Sequence, residues 1–288
     1  MEEIRKIVDK YDESYVREKL ITVANINTFA HTFYKDVADI YDAITRVRNI
    51  ERNPTGFSIN EAPILGLLVR TWKLLKEIIY YYEQNNAEII SILERPLIEG
   101  CVVAAYLLKG DDELIKDYRK CSYKDRLRIL RNLEEGSPFF ETKAGKRLAM
   151  SVRGKLAREN LTANDFEVQK KNKWKINGKT FYDIFSLIHH EDLYACTYGM
   201  MSESIHGSWN ESMDFCLARN GDGTFSTFSF SHPADIRCVS PTLLFTNDPY
   251  RLWLRRIEVY DKYLLGVLDW VERVNTALFR KFDDVYEG

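Results

Sequence analysis

The chain has 288 residues, of which 45% are hydrophobic and 29% are charged, and its formal net charge is −2. This composition predicts a globular protein with a sizeable core and excludes a strongly basic, nucleic-acid-binding field over the whole surface. The N-terminus is charged throughout and no apolar stretch approaches the roughly 20 residues of a membrane span, so we expect a soluble protein in the cytoplasm without a membrane partner.

The first half of the chain has the spacing of helices. Apolar residues recur in steps of three and four over residues 26–50, which predicts an amphipathic helix that ends before a Pro and Gly segment. Ser58 and Glu61 have the spacing of a capping box at the start of the next helix. Three helical segments therefore follow, over residues 58–84, 85–110 and 111–136.

The middle of the chain is more polar. We expect a basic amphipathic helix within residues 137–163, followed by a loop or short hairpin over residues 169–180. Asn177 and Gly178 would form the turn of that hairpin, because both residues tolerate the backbone that a tight turn needs. Helical spacing returns over residues 181–207.

A different pattern occurs near residues 214–232, where apolar residues alternate with polar ones on both sides of the sequence NGDG. This pattern predicts a small β-hairpin. Three prolines then predict a loop: Pro233, Pro241 and Pro249. The remaining residues, about 249–282, predict one long amphipathic helix. With no repeat and no linker, we expect a single, mainly α domain over residues 1–288 that carries the hairpin as an insertion.

A lone histidine, His206, lies in the segment SESIHGSWNES. On a helix, Tyr198, Ser202 and His206 share one face, so Ser202 could hydrogen-bond the imidazole. Gly207 could end that helix and leave His206 at its C-terminus, where the helix dipole favours a positive charge. The histidine is then either a general acid or base, or a buried or capping residue that satisfies backbone carbonyls.

A charged pair occurs in the segment ERPLIEG. Arg95 and Glu99 are one helical turn apart and can pair, although Pro96 between them must either begin a helix or kink one. The flanking residues are strongly apolar, so this pair lies in or beside the core, where an arginine needs a partner. The pair is either a structural ion pair or an arginine that a carboxylate holds for phosphate binding.

Other searches predict no metal and no cofactor. His189 and His190 precede two acidic residues, but neighbouring histidines point apart on a helix and the HExxH spacing is absent. The phosphate-binding and nucleophile motifs GxxxxGK[ST], GxGxxG and GxSxG are absent as well. Five scattered cysteines without a CxxC pair indicate reduced thiols.

Two segments resemble a known family. The sequences ILERPLIEGCVVAAYLL and YGMMSESIHGS resemble the Arg-x-x-x-Glu and Ser-x-x-x-His segments of DUF5677, a bacterial family of unknown function, in the same order. The resemblance covers about residues 60–215. That family is similar to the HEPN helical superfamily, which includes phage-defence toxins and metal-independent ribonucleases. The resemblance implies a HEPN-like multi-helix bundle whose motif-bearing core is about residues 60–215.

The resemblance also implies a role in prokaryotic anti-phage defence, in which the chain would cleave RNA without a metal. Arg95, Glu99, Ser202 and His206 match the motif positions. His206 would then move the proton in the attack of a ribose 2′-OH on its phosphate, and Arg95 would stabilise the charge that develops there. Glu99 would orient Arg95, and Tyr198 with Ser202 would support the histidine.

One departure from HEPN ribonucleases keeps a second reading open. Those enzymes take an arginine and a histidine from one helix, whereas this chain has no arginine between His190 and His206. Arg95 would have to come from another helix. The alternative is a non-catalytic binding, sensor or partner subunit of a defence system, in which the same residues form a structural polar cluster. Its partner would be a protein of that system, and either reading predicts a homodimer or a hetero-complex.

Overall fold

The protein is described by a computed structural model that covers residues 2–166 and 174–286. The chain divides into two compact units, of which the first comprises Met1–Lys109 with Phe185–Gly288 and the second comprises Gly110–Ile184. The described residues are mainly helical, which confirms the predicted mainly α class. A single domain for the whole chain stays a prediction, because compactness alone does not decide whether the two units fold independently.

The first unit begins with five helices: α1 (Glu2–Val8), α2 (Glu13–Lys19), α3 (Val23–Arg46), α4 (Ala62–Glu83) and α5 (Ala87–Lys109). The apolar stripe that predicted α3 is buried, with Val37, Ile40 and Ile44 fully enclosed. The capping box before α4 is confirmed. The Ser58 N–H donates to Glu61 Oε2 at 2.9 Å, and the Glu61 N–H donates to Ser58 Oγ at 3.3 Å.

The second unit contains helices α6 (Asp112–Glu134) and α7 (Lys143–Arg158). Asp111 caps α6, because its Oδ1 accepts the Leu114 N–H at 2.9 Å. A small core forms where α7 packs on α6 and on the 3-10 turn Ala163–Phe166; its buried members are Tyr123, Leu127, Val152, Leu156 and Phe166. The basic helix predicted within residues 137–163 is therefore confirmed as α7.

The hairpin turn predicted at Asn177 and Gly178 is also present. Both residues have positive φ angles, 48° and 73°, as the tightest hairpin turns require. The N–H and C=O groups of Ile176 and Lys179 pair across this turn. Residues 169–173 of the predicted loop lie outside the described part of the chain.

The chain then forms four short helices: α8 (Phe181–Ile188), α9 (Asp192–Tyr194), α10 (Met201–His206) and α11 (Trp209–Phe215). A π-helical turn, Ala195–Gly199, joins α9 to α10. The hairpin predicted near residues 214–232 is confirmed, with antiparallel strands β1 (Leu217–Arg219) and β2 (Phe225–Thr227).

The prediction of one long C-terminal helix over residues 249–282 is wrong. The structure has two helices, α12 (Ser240–Arg256) and α13 (Lys262–Tyr286). Pro241 lies in the first turn of α12 and Pro249 lies inside it, so the expected proline loop is largely helical. Between the helices, Glu258 has a φ of 56°, and Asp261 Oδ1 accepts the Tyr263 N–H at 2.7 Å. A left-handed residue and a new cap therefore separate the two helices.

The main core of the first unit lies where α3, α4, α5 and α12 pack together. Tyr41 and Tyr250 stack there with their ring centroids 4.1 Å apart, and both rings are fully buried. Their hydroxyls are satisfied, by Thr246 Oγ1 at 2.8 Å and by the Leu68 carbonyl at 2.8 Å. Among the described residues, no helix combines the length and apolar character needed to cross a bilayer.

Candidate functional site

Helix α5 presents the motif residues Arg95 and Glu99 from one turn, and it runs through Pro96 without interruption. Pro96 has no N–H, so the carbonyl of Ile92 lacks its usual helical donor. Both Arg95 and Glu99 are half-buried. The sequence predicted that they pair directly. Instead, among the described residues no ion pair joins them, because a third side chain lies between the two charged groups.

That third side chain is Tyr198 from the π-helical turn, and it is only 6% exposed. Arg95 Nη2 donates to the Tyr198 hydroxyl at 3.1 Å, and this hydroxyl donates to Glu99 Oε2 at 3.1 Å. Arg95 also lies over the ring, with Cζ 4.5 Å from the ring centroid. We call Arg95, Tyr198 and Glu99 the polar cluster. It fastens the π-helical turn to α5 across about 100 residues of sequence.

The environment of Tyr198 keeps its hydroxyl protonated. Burial and, after it, the nearby Glu99 carboxylate raise the pKa of Tyr198 to about 12, with Arg95 acting in the opposite direction. At neutral pH the Tyr198 hydroxyl is therefore protonated, and it donates a hydrogen bond to Glu99. Tyr198 acts in the cluster as a neutral bridge between two opposite charges.

One part of Arg95 is left without a partner. Its Nη1 is buried and makes no hydrogen bond with the described residues, while Nη2 is held by Tyr198. An unsatisfied guanidinium N–H costs stability, since its hydration is lost without replacement. It also provides a donor that can meet an anion. The sequence predicted an anchored arginine, and the structure supplies the anchor through a tyrosine.

Ser202 serves the backbone instead of the histidine. Its Oγ donates to the Tyr198 carbonyl at 3.0 Å, so the predicted hydrogen bond from Ser202 to the imidazole is wrong. The π-helical turn provides a physical reason. In this turn the Met200 N–H donates to the Ala195 carbonyl, five residues earlier, instead of to a carbonyl four residues earlier. The prediction assumed a regular α-helix from Tyr198 to His206, in which every fourth residue shares a face, and the wider π-helical turn breaks that regularity.

His206 lies at the end of α10, as predicted, and Gly207 ends the helix in a left-handed conformation with φ 59° and ψ 52°. The imidazole is exposed and makes no hydrogen bond or ion pair with any described residue. The polar cluster therefore does not include His206. Of the five candidate residues, the structure brings together Arg95, Tyr198 and Glu99. Ser202 contacts this cluster only through the backbone carbonyl of Tyr198 among the described residues.

Glu94, next to Arg95, is a buried acid that the sequence analysis did not select. Its side chain makes no hydrogen bond with the described residues, and burial raises its pKa well above the ordinary value. The apolar flanks of the segment ERPLIEG were the signal that could have identified it, because an acid there must be buried or paired. Elsewhere in the described chain, no three His, Cys, Asp or Glu residues are grouped to hold a metal ion.

The residues that surround His206 have an unusual charge. Residues 185–218, which we call the acidic segment, contain five carboxylates and no lysine or arginine. The same segment exposes several large apolar side chains: Leu187, Leu193, Met200, Ile205, Trp209 and Met213. Trp209 is 58% exposed and touches Phe225 of the hairpin edge to face, with the ring centroids 5.7 Å apart. Exposed apolar groups with uncompensated charge are typical of a surface that binds a partner.

Comparison with known proteins gives one match. The model of a family of unknown function, DUF5677, matches residues 61–224, which include the polar cluster, Ser202, His206 and the acidic segment. No curated protein and no solved structure matches the chain.

Proposed function

The chain belongs to the DUF5677 family, whose function is unknown, and we propose that it is a non-catalytic binding subunit of a prokaryotic anti-phage defence system. In this proposal the bundle is HEPN-like, the protein acts in the cytoplasm, and its partner is another protein through the acidic segment. The defence role rests on the similarity of the DUF5677 family to the HEPN superfamily. The binding role rests on the site itself.

The observation that carries the proposal is the bridged polar cluster. Arg95, Tyr198 and Glu99 satisfy one another between two distant parts of the chain, at 3.1 Å on each side of the tyrosine hydroxyl. Breaking such a half-buried arrangement leaves charges without partners and costs less than the roughly 3–5 kcal/mol of a fully buried pair. The cluster therefore has a sufficient structural role, which is to hold the segment that ends in His206 on α5.

Electrostatics around His206 favour a protein partner over RNA. RNA binding depends on lysine and arginine contacts to phosphates. The acidic segment has five carboxylates and neither of these residues, so it repels a polyanion. Exposed Met, Ile and Trp side chains in the same segment match the composition of the central part of protein interfaces.

A second candidate function is the metal-independent ribonuclease, and Arg95 Nη1 is the observation that favours it. This nitrogen belongs to a charged group, is buried and makes no hydrogen bond with the described residues, which suits contact with a phosphate oxygen. In that function Arg95 stabilises the phosphorane, Glu99 orients Arg95 through Tyr198, and His206 moves the proton. It requires one phosphodiester to meet both Arg95 and His206.

A phage-infection assay with the native gene cluster separates the two functions. We expect His206→Gln to keep protection, because glutamine preserves the size and polarity of an exposed side chain, whereas Trp209→Ala removes a docking anchor and loses protection. A catalytic histidine cannot be replaced by glutamine, so loss of protection in His206→Gln would support the ribonuclease.

Cleavage of RNA by the purified protein is then tested directly. Purified wild-type protein is incubated with total cellular RNA in EDTA beside His206→Ala, which retains the fold because the side chain is exposed. The binding function predicts intact RNA in both samples. Cleavage by the wild type alone would overturn it and assign His206 as catalytic.

A further inference from the structure

We propose that the acidic segment docks onto helix α7 of a second copy of this chain. The inference deepens the proposed function, since it names the partner of a surface that was assigned to protein binding. It starts from an unequal distribution of charge. The chain is nearly neutral as a whole, yet each of two separate segments carries charges of one sign only.

Helix α7 is the basic segment. Its 16 residues contain six cations and no carboxylate: Lys143, Lys146, Arg147, Arg153, Lys155 and Arg158. None of these six cations forms an ion pair with a described residue. Arg147 donates a hydrogen bond to the Lys143 carbonyl and Arg158 donates one to the Gly154 carbonyl, both within α7. The positive charge of α7 is therefore available to a partner.

An apolar side chain interrupts the positive charge on α7. Lys146, Met150 and Arg153 are spaced by four and three, so they form one stripe, and Met150 is 71% exposed. The opposite stripe of α7 contains Val152 and Leu156, which are buried in the small core of the second unit. One face of α7 is therefore packed in the core of the second unit. The other face is exposed and cationic, with the apolar Met150 between Lys146 and Arg153.

The acidic segment has the complementary chemistry. Glu191 and Asp214 are exposed and have no cationic partner among the described residues, while Glu203 and Glu211 accept hydroxyls from Ser208 and Ser204. On α11, Trp209 is followed one turn later by Met213, which is 37% exposed. The acidic segment therefore combines carboxylates with exposed apolar side chains, whereas α7 combines cations with the exposed Met150.

Complementary charges orient two surfaces and speed their encounter, and the apolar centres exclude water once they meet. A helix of 16 residues is roughly 24 Å long, enough for one continuous contact. Every copy carries one α7 and one acidic segment. A pair of chains therefore holds both complementary surfaces twice, and a pair that makes both contacts is a twofold dimer.

Charge-swap variants of the full chain test this inference, with mass measured by light scattering after gel filtration. The basic variant carries Glu191→Lys with Asp214→Lys, and the acidic variant carries Lys146→Glu with Arg153→Glu. A matched control carries Arg70→Glu with Lys262→Glu, which reverses two exposed, unpaired cations of the first unit. All are measured at roughly 50 mM and 500 mM salt, because screening shortens the range of charge attraction about threefold between them.

We expect wild type and control to have the mass of two chains at low salt and to shift toward one chain at high salt. Each charge-swap variant alone is expected to be a monomer, because its two reversed side chains then face unreversed side chains of the same charge at the contact. Mixing the two variants in equal amounts restores the dimer, since each reversed surface meets a complementary one. A variant that had failed to fold could not produce this rescue.

Two results would overturn the inference. One is a wild type that remains a monomer at low salt, or charge-swap variants that dimerise alone. The other is an acidic variant of unchanged mass that loses binding to a single-stranded RNA oligonucleotide, which would make α7 a nucleic-acid surface. The phage assay separates this failure from that of the proposed function. If the basic variant loses protection while the wild type is monomeric, the acidic segment binds a different protein.

Discussion

The hydroxyl of Tyr198 has two hydrogen-bonding roles, because it accepts from Arg95 and donates to Glu99. Neither role is visible in the chain, since Tyr198 is about 100 residues from its partners. The motif residues Arg95, Glu99, Ser202 and His206 could be selected from the sequence by residue type and spacing. Their partners could not, because the periodicity of a helix reports which residues share its face and not which side chain of another segment meets them.

We expect Tyr198→Phe to lower the free energy of unfolding by roughly 1–3 kcal/mol. The change keeps the ring under Arg95 but removes the bridge, so a half-buried cation and a half-buried carboxylate lose a partner. Urea unfolding followed by circular dichroism measures the difference. Ser202→Ala is the control, because its hydroxyl bonds only a backbone carbonyl and its loss costs less. Equal free energies of unfolding for Tyr198→Phe and wild type would show that the hydroxyl bridge of the polar cluster does not stabilise the fold.

Glu94 predicts a pH dependence of stability. Burial raises the pKa of Glu94 above its ordinary value of 4.5, so the folded protein retains a proton that the unfolded chain releases above that pH. The free energy of unfolding of the wild type therefore decreases as the pH rises from about 4.5 through the folded pKa. The side chain of Glu94→Gln is neutral at every pH, so the free energy of unfolding of this variant does not decrease in this way.

We expect Glu94→Gln to match the wild type in acid and to be more stable at about pH 8, with a gap that grows as the pH rises. Denaturant titrations at several pH values measure this gap. The exposed Glu191→Gln serves as the control, since an exposed carboxylate gains nothing from neutralisation. A gap of constant size across the pH range would show that Glu94 is ionised in the folded protein.

Among the elements, the boundary between α10 and α11 depends on one residue. Gly207 has the left-handed backbone that a side chain disfavours, and Ser208 caps α11 directly after it by accepting the Glu211 N–H at 3.0 Å. We expect Gly207→Ala to lower the free energy of unfolding by about 1 kcal/mol. Gly207→Asn should cost less, because asparagine tolerates this conformation. Thermal unfolding measures both, and an alanine variant as stable as the asparagine one would contradict the argument.

Helices with a regular apolar stripe and clear caps could be predicted from the sequence, as α3 and α6 show. Two irregular features could not. The apolar spacing continues across Glu258, so it does not reveal the break that this left-handed residue and the Asp261 cap produce between α12 and α13. The π-helical turn at Ala195–Gly199 adds one residue to a turn without changing the composition, so it also has no sequence signal.

For the whole molecule, the net charge of −2 conceals a strong separation of charge. Helix α7 has six cations and the acidic segment has five carboxylates, and they belong to different units. Composition therefore predicted a mixed surface, because a total cannot show where the charges lie. The charge of each segment can be counted from the sequence, whereas the exposure of the side chains that carry it required the structure.

The route of the chain through the first unit has a consequence for its biosynthesis. Trp270 of α13 donates its indole N–H to the Tyr11 carbonyl at 3.0 Å, and α12 packs against α5. Helices α3 to α5 therefore leave the ribosome well before the residues that cover them are made, whereas the buried residues of the small core on α6 and α7 lie close together in the sequence. The nascent chain therefore exposes an incomplete apolar surface until α12 and α13 have been made.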